Sequence, residues 1–426
     1  MSATNAPNLA TVAPMANNSS ELGTEKTISE FPEGGSRAWL VVLGAWCVSF
    51  STFGYMNAYG VYQDYYSSSF MSNKSSSSIS WIGSVQVFFL FFGSIVGGPL
   101  FDRHGAKIVH LPAIAVVLSV MMTSLCKKYY QFMLAQGILG GMASGMLFAP
   151  AMTCVSHYFL KKRAVALGVT VSGSSMGGVL FPIALTRMLK NSSLGFGWSV
   201  RIIGFIIFFM MIISVIAIKE RLPAYQGTIF LSSAFSHGPY VLVTLGIAFM
   251  MWGLFTPFFY LPGYAKAHGM EDKLSSYLLS ILNAASVFGR VIPGMIADNV
   301  GRYNVLITTG SCTGILLLCW IAMTSNASIF VFAVLYGFFS GGIVSLMSSC
   351  IAQVTPVSNQ IGTYLGMSMA IVSIAGLTGT PICGALLQNF GTYAQTAIFS
   401  GVVVLFGAFL VGTAKLQLQK NLFAKV

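Results

Sequence analysis

Residues 98–107 read GPLFDRHGAK, and residues 294–302 read GMIADNVGR. Both stretches contain a glycine, an aspartate and a second glycine at the same spacing. Gly294, Asp298 and Gly301 each lie 196 residues after Gly98, Asp102 and Gly105, respectively. An apolar run of about twenty residues precedes each copy, which is the length that crosses a bilayer as a helix. The spacing therefore predicts two related halves, each made of several membrane-spanning helices.

The composition supports a membrane protein. Hydrophobic residues make up 55% of the 426 residues and charged residues only 8%, whereas a soluble domain carries about 25% charged residues. The apolar runs do not alternate with polar residues as the strands of a membrane barrel do. We therefore predict an all-α polytopic membrane protein with twelve transmembrane helices in two six-helix pseudo-repeats.

The apolar runs place these spans along the chain. They are expected at residues 39–62, 79–101, 107–126, 130–156, 164–187, 198–218, 239–260, 275–297, 304–324, 328–352, 361–387 and 393–414. Residues 1–36 are then a disordered cytoplasmic tail, 37–218 the first half, 219–238 a cytoplasmic linker, 239–414 the second half and 415–426 a second cytoplasmic tail.

The charge pattern predicts the orientation. An even number of spans places both termini on one side, and more of the Lys and Arg residues fall on that side, which favours cytoplasmic termini. The net charge of +12 is explained in this way, so no nucleic-acid partner is expected. The N-x-S patterns at Asn73, Asn191 and Asn326 fall in predicted outer loops and are candidate glycosylation sites.

The repeated loop resembles the loop signature of the major facilitator superfamily. Further stretches are similar to its fungal monocarboxylate-porter-like branch: residues 33–39 (EGGSRAW), 158–168 (YFLKKRAVALG), 257–265 (PFFYLPGYA) and 281–294 (ILNAASVFGRVIPG). The resemblance covers roughly residues 33–415. It implies a major facilitator fold that works by alternating access between two halves.

In that superfamily the repeated loop latches the inner ends of the two halves in one conformational state. The resemblance therefore implies a conformational latch. Its residues would be Gly98, Asp102, Arg103 and Gly105 in the first copy and Gly294, Asp298, Gly301 and Arg302 in the second.

Arg290 is a charge inside the eighth span, where a lone charge costs several kcal/mol unless it faces water or a partner. By position it matches the arginine that contacts the substrate carboxylate in monocarboxylate porters. A small organic anion is therefore an expected partner. The structural alternative is an arginine that pairs with Asp298, two turns further along the helix.

The sequence departs from the porters at two places. Ser286 stands where they carry an acidic residue, and Asn57 lies nearest to the position of their lysine in the first span. A proton relay needs a titratable group at membrane depth, so protons remain an open alternative as a coupling partner. With Arg290, the expected substrate-binding residues are Asn57, Tyr59, Trp252, Asn283 and Tyr336.

These patterns favour a secondary transporter of small organic acids or secondary metabolites, with export from a biosynthetic pathway as one direction. Proton-coupled uptake of monocarboxylates or nutrients is the alternative, and a transporter-like nutrient sensor is the alternative from another class. No phosphate-binding GxxxxGK[ST] loop and no nucleophile elbow occurs, so no enzyme, cofactor or metal is expected. The lipid bilayer surrounds the protein, and we expect the plasma membrane.

Overall fold

The computed structural model describes residues 31–191, 194–225 and 230–421. Eleven helical stretches within them are long and apolar enough to cross a membrane, and one of these, Ser78–Thr123, has 46 residues. At 1.5 Å per residue it would be about 69 Å long, roughly twice the thickness of a hydrocarbon core. The chain reverses near Gly105, whose φ of 67° favours glycine. This stretch therefore crosses twice, and the predicted twelve-helix fold is confirmed.

The twelve helices are numbered in chain order. They are α1 (Gly35–Phe70), α2 (Ser76–Phe92 and Ser94–His104), α3 (His110–Thr123), α4 (Tyr129–Tyr158), α5 (Arg163–Asn191), α6 (Gly195–Ala217), α7 (Gly238–Leu254 and Thr256–Ala267), α8 (Leu278–Val300), α9 (Arg302–Cys319), α10 (Asn326–Val354), α11 (Ile361–Phe390) and α12 (Ala394–Leu418).

The observed bounds differ from the predicted ones at several ends. α1 begins at Gly35, within the predicted tail, and ends at Phe70 rather than near residue 62. The predicted linker contains a short 3-10 turn at Ser232–Ser236. Hydropathy alone misplaces these ends because polar residues continue a helix past the apolar run. Residues 1–30 and 422–426 of the predicted tails lie outside the described residues.

Two helix pairs join the first six helices to the last six over long stretches. α2 packs along α11, and α5 packs along α8. Four buried phenyl rings lie between the halves at mid-depth. Phe53 of α1 lies 5.8 Å from Phe91 of α2 and 6.2 Å from Phe255 of α7, and Phe91 lies 6.4 Å from Phe148 of α4, measured between ring centroids. The centre of the bundle is therefore apolar and aromatic.

Glu33 connects the segment before α1 to the start of α5. Its carboxylate accepts hydrogen bonds from the backbone N–H groups of Leu160, Lys161 and Lys162 at 2.9, 2.7 and 3.0 Å. Trp39 packs edge-on against Phe159, with 5.4 Å between ring centroids. The motifs at 33–39 and 158–168 are therefore two sides of one contact at the end of the bundle where α1 begins and α12 ends.

The Glu33 carboxylate provides a test of this contact by pH. Partial burial raises the pKa of the Glu33 carboxyl, but the three N–H donors and the charge of Lys161 lower it further, so the net pKa lies below the ordinary value. A carboxyl with a lowered folded-state pKa stabilises the protein above its ordinary pKa, and this stabilisation is lost as the pH falls through the lowered value.

We predict that Glu33→Gln lowers the free energy of unfolding by about 1 kcal/mol at neutral pH, as the loss of a helix cap does. The difference from the wild type should shrink as the pH is lowered below the ordinary carboxyl pKa. Thermal unfolding in detergent measures both quantities, and Glu271→Gln, at an exposed glutamate, is the matched control. A difference that grows on acidification would contradict this account.

Candidate functional site

Arg290 lies on α8 and faces α5 between the two halves. Its side chain is buried, with a relative exposure of 2%. Nη1 donates to the backbone carbonyl of Val171 at 2.7 Å and also to the Ser174 hydroxyl. Both partners are neutral, and Nε has no hydrogen-bond partner in the described part of the chain. The alternative pairing of Arg290 with Asp298 is wrong, because Asp298 bonds other groups.

Two further polar side chains lie on the same face of α8. Asn283 and Ser286 precede Arg290 by seven and four residues, a spacing that aligns them on one side of a helix. Both are buried, and the Asn283 Oδ1 and Ser286 Oγ atoms have no hydrogen-bond partner within the described residues. An unpaired buried polar group costs about 1–3 kcal/mol. Three such groups in a row are therefore available to a ligand or to water.

Asn57 of α1 approaches this face across Gly178 of α5. A methyl group on Gly178 would lie 2.7 Å from the Asn283 Oδ1 atom and 2.9 Å from the Asn57 Nδ2 atom, so both amides lie against the same glycine. Asn57 also donates to the Ser174 carbonyl at 3.4 Å. The structure thus brings three predicted residues, Arg290, Asn57 and Asn283, to one place where α1, α5 and α8 meet.

The other three predicted binding residues make their contacts within one half. The Tyr59 hydroxyl donates to the Ile79 carbonyl, and the Tyr336 hydroxyl donates to the Leu254 carbonyl at 2.6 Å. Trp252 packs against Phe249 and Phe399 and lies against Gly379. These contacts hold helices together inside each half and are separate from the cluster around Arg290.

Asp102 connects the end of α2 to the start of α11. Its buried carboxylate accepts hydrogen bonds from the Gly362 N–H at 3.1 Å, the Thr363 N–H at 2.6 Å and the Thr363 hydroxyl at 2.8 Å. A carboxylate at this position satisfies the free N–H groups of a helix N-terminus and interacts favourably with its dipole. A side chain of the first half therefore caps a helix of the second half.

Asp298 makes the reciprocal connection. At the end of α8, its carboxylate accepts from the Ala164 N–H at 3.0 Å and the Val165 N–H at 2.9 Å, which begin α5. Arg302 lies 3.4 Å from the same carboxylate and also donates to the Leu160 carbonyl of the first half. The two aspartates of the sequence repeat thus cap each other's halves.

Glycines permit this approach. A methyl group on Gly98 would overlap the Gly362 carbonyl, and one on Gly294 would lie 2.7 Å from the Ala164 carbonyl. Gly105 and Gly301 follow the two helices with φ of 67° and 112°, where other residues are strained. Arg103 is exposed at the same end.

Sequence reasoning missed several partners at this end. Thr363 receives no signal from the loop motif, and Glu220 accepts from the Ala106 N–H at 2.8 Å to fix the turn before α3. Arg163 reaches across to the Ala352 carbonyl at 3.3 Å. Gly168 and Gly366, which lie 198 residues apart near the starts of the two helices that receive the caps, are a further trace of the repeat.

The candidate glycosylation sites are at the opposite end. Asn73 and Asn326 are exposed there. The serines of their patterns are used as helix caps, because Ser75 accepts from the Ser78 N–H and Ser328 pairs with Ser325. The side chain of Asn191 and the next two residues lie outside the described residues. Across residues 31–191, 194–225 and 230–421, no group of three or more His, Cys, Asp or Glu could hold a metal ion.

The fold is shared with solved transporters. The human organic anion transporter MFSD10 superimposes with a TM-score of 0.70 at 16% identity, covering 89% of this chain and 100% of that one. The transporter FucP in the outward conformation gives a TM-score of 0.68 at 15% identity, covering 88% and 99%.

Curated relatives share more sequence with this chain than the solved structures do, and a family model also matches it. The aspyridones efflux protein apdF of Emericella nidulans is 55% identical over 386 residues, which cover 91% of this chain and 79% of that protein. The agnestins efflux protein AgnL12 of Paecilomyces divaricatus is 39% identical, covering 96% and 94%. The model of the Major Facilitator Superfamily matches residues 41–356 and 241–421. The chain is a multi-pass membrane transporter that belongs to the Major Facilitator Superfamily.

Proposed function

We propose that this transporter exports a small organic product of a biosynthetic pathway by alternating access. The observation that carries the proposal is the pair of reciprocal caps, Asp102 on α11 and Asp298 on α5. These bonds cross between the halves at one end of the bundle, so they must break before that end can open. The names of the two relatives, which call them efflux proteins, support the outward direction.

The proposal includes an orientation. The capped end carries the start of α1 and the end of α12 together with Arg103, Lys161 and Lys162, and such basic residues favour the cytoplasmic side. In this orientation the caps form a cytoplasmic latch that closes once a substrate has moved outward. The plasma membrane is the proposed location, since an exporter in that membrane moves its substrate out of the cell.

The proposed substrate site is the cluster of Arg290, Asn57, Asn283 and Ser286. When α5 and α8 separate, Arg290 loses its neutral partners Val171 and Ser174 and becomes a free donor. A guanidinium pairs well with a carboxylate or an enolate oxygen, and the Asn283 amide supplies an acceptor beside it. Aromatic rings at the centre suit an amphipathic organic acid.

We predict that Arg290→Ala lowers export at least tenfold, because a hydrogen bond to a charged group contributes about 1.5–3 kcal/mol. Metabolites inside and outside cells that express the wild type or Arg290→Ala would be profiled at external pH 5 and pH 7.5. Faster transport on a steeper pH gradient would show that transport is coupled to protons.

Arg187→Ala is the matched control, since Arg187 is an exposed arginine on α5, and it should leave export unchanged. The thermal midpoint of each purified variant separates lost binding from lost folding. Full export by a folded Arg290→Ala protein would remove Arg290 from the substrate site.

A second prediction concerns the latch. Asp102→Ala and Asp298→Ala should each favour opening of the capped end, because removing a cap costs about 0.5–2 kcal/mol. The buried thiols of Cys154 and Cys350 lie near this end, so each variant, purified in detergent, should react faster with a hydrophilic thiol reagent.

The thiol of Cys126, near the opposite end, is the internal control and should react no faster. Mass spectrometry of labelled peptides assigns each thiol. Unchanged labelling of Cys154 and Cys350 in both aspartate variants would mean that the caps do not hold this end closed.

A further inference from the structure

A cavity of about 290 Å³ adjoins Asp102 and is separate from the cluster around Arg290. It is enclosed by the end of α2, the end of α4 at His157, the segment that follows α6, and the segment before α11. Asp102, Glu220, Arg103 and Asn359 line it. It therefore contacts both halves of the protein at the capped end.

The sequence repeat shows which side chain of the second half has no counterpart at this cavity. In the second half, Arg302 lies 3.4 Å from Asp298 and 3.5 Å from the Gln353 amide oxygen. The positions 196 residues earlier are Ala106, Asp102 and His157. The first half thus keeps the carboxylate and a polar residue at the end of α4, but it has a methyl group where the second half has a guanidinium.

The atoms around the cavity are left with unused acceptors. His157 is 3% exposed, and its ring lies against the Ser358 backbone without a hydrogen bond of ordinary geometry among the described residues, so at least one ring nitrogen is unused. The Asn359 Oδ1 atom is also buried and unpartnered there. Asp102 accepts three hydrogen bonds, whereas an ionised carboxylate offers about four lone-pair sites. Glu220 uses its Oε2 atom on the Ala106 N–H.

The charge of the lining suits a cation. The lining residues include two with carboxyl groups, Asp102 and Glu220, and one with a guanidinium, Arg103, which gives a net charge of −1 when both carboxyl groups are ionised and the histidines are neutral. Arg221 and Arg163 bond the backbone of α4 from outside, at the carbonyls of His157 and Ser156, and neither lines the cavity.

We propose that this cavity is a second binding site, for a small molecule that carries a guanidinium group. The ligand would occupy the place that Arg302 fills in the other half and would bond Asp102 and His157 of the first half together with Asn359 of the second. A ligand held by both halves favours the closed latch and therefore slows transport.

Methylguanidinium is the probe, applied to the purified full chain at concentrations too low to unfold proteins. We expect it to raise the thermal midpoint of the wild type saturably, while tetramethylammonium, which has no N–H donors, should not. Arg302→Ala is the positive control, because it opens the equivalent space beside Asp298, so methylguanidinium should stabilise it further. Asn359→Ala should bind about tenfold more weakly, as expected for one lost hydrogen bond to a charged group.

Ala106→Arg supplies the decisive variant, since it places in the first half the residue that the second half has. It should raise the midpoint by itself and abolish the response to methylguanidinium. Arg103→Gln should strengthen binding, because it removes a like charge from the lining. The proposal is overturned if methylguanidinium rescues Arg302→Ala but leaves the wild type unchanged, or if Ala106→Arg keeps the full response. These readouts need no transport assay, so they stand apart from the proposed export.

Discussion

Two carboxylates at helix N-termini, the buried one of Asp102 and the partly buried one of Asp298, hold the rest of this structure in its present arrangement. A helix start leaves four N–H groups without partners, and a buried one costs about 1–3 kcal/mol when its acceptor is lost. α11 and α5 begin against the opposite half, at Asp102 and Asp298. Separating the halves therefore leaves both a carboxylate and a helix terminus unpaired until water enters. This coupling makes the closed end a discrete state and not a continuously variable one.

The substrate cluster differs from the caps, because several of its buried polar atoms have no hydrogen-bond partner in the described part of the chain. Arg290 donates only from Nη1, to neutral groups, and its Nε atom, like atoms of Asn283 and Ser286, bonds nothing in the described part of the chain. Such groups are uncommon in protein interiors, because each raises the free energy of the folded state. Because they are aligned on one face of α8, beside Asn57, the free-energy cost of these unpaired groups falls at the contact between α5 and α8, which must separate during transport.

Sequence reasoning succeeded where the signal is periodic or repeated. Hydropathy gave the twelve crossings, and the 196-residue offset identified Asp102 and Asp298 as equivalent positions. It did not predict that each aspartate caps a helix of the other half, since a motif carries no information about its distant partner. Tyr59 and Tyr336 illustrate the same limit. Their hydroxyls bond backbone carbonyls, and such acceptors leave no trace in the side-chain sequence.

The two latches are unequal, and the inequality sets an order of motion. On the α5–α8 side, Arg302 bonds both Asp298 and the Leu160 carbonyl, and Arg163 crosses to the Ala352 carbonyl. On the α2–α11 side, Asp102 is bonded only by N–H and hydroxyl donors within the described residues. We therefore expect the weaker α2–α11 seam to separate first and the stronger α5–α8 seam to follow. A molecule moving through this protein then meets an asymmetric gate that begins to open on one side, even though the sequence that built it is a repeat.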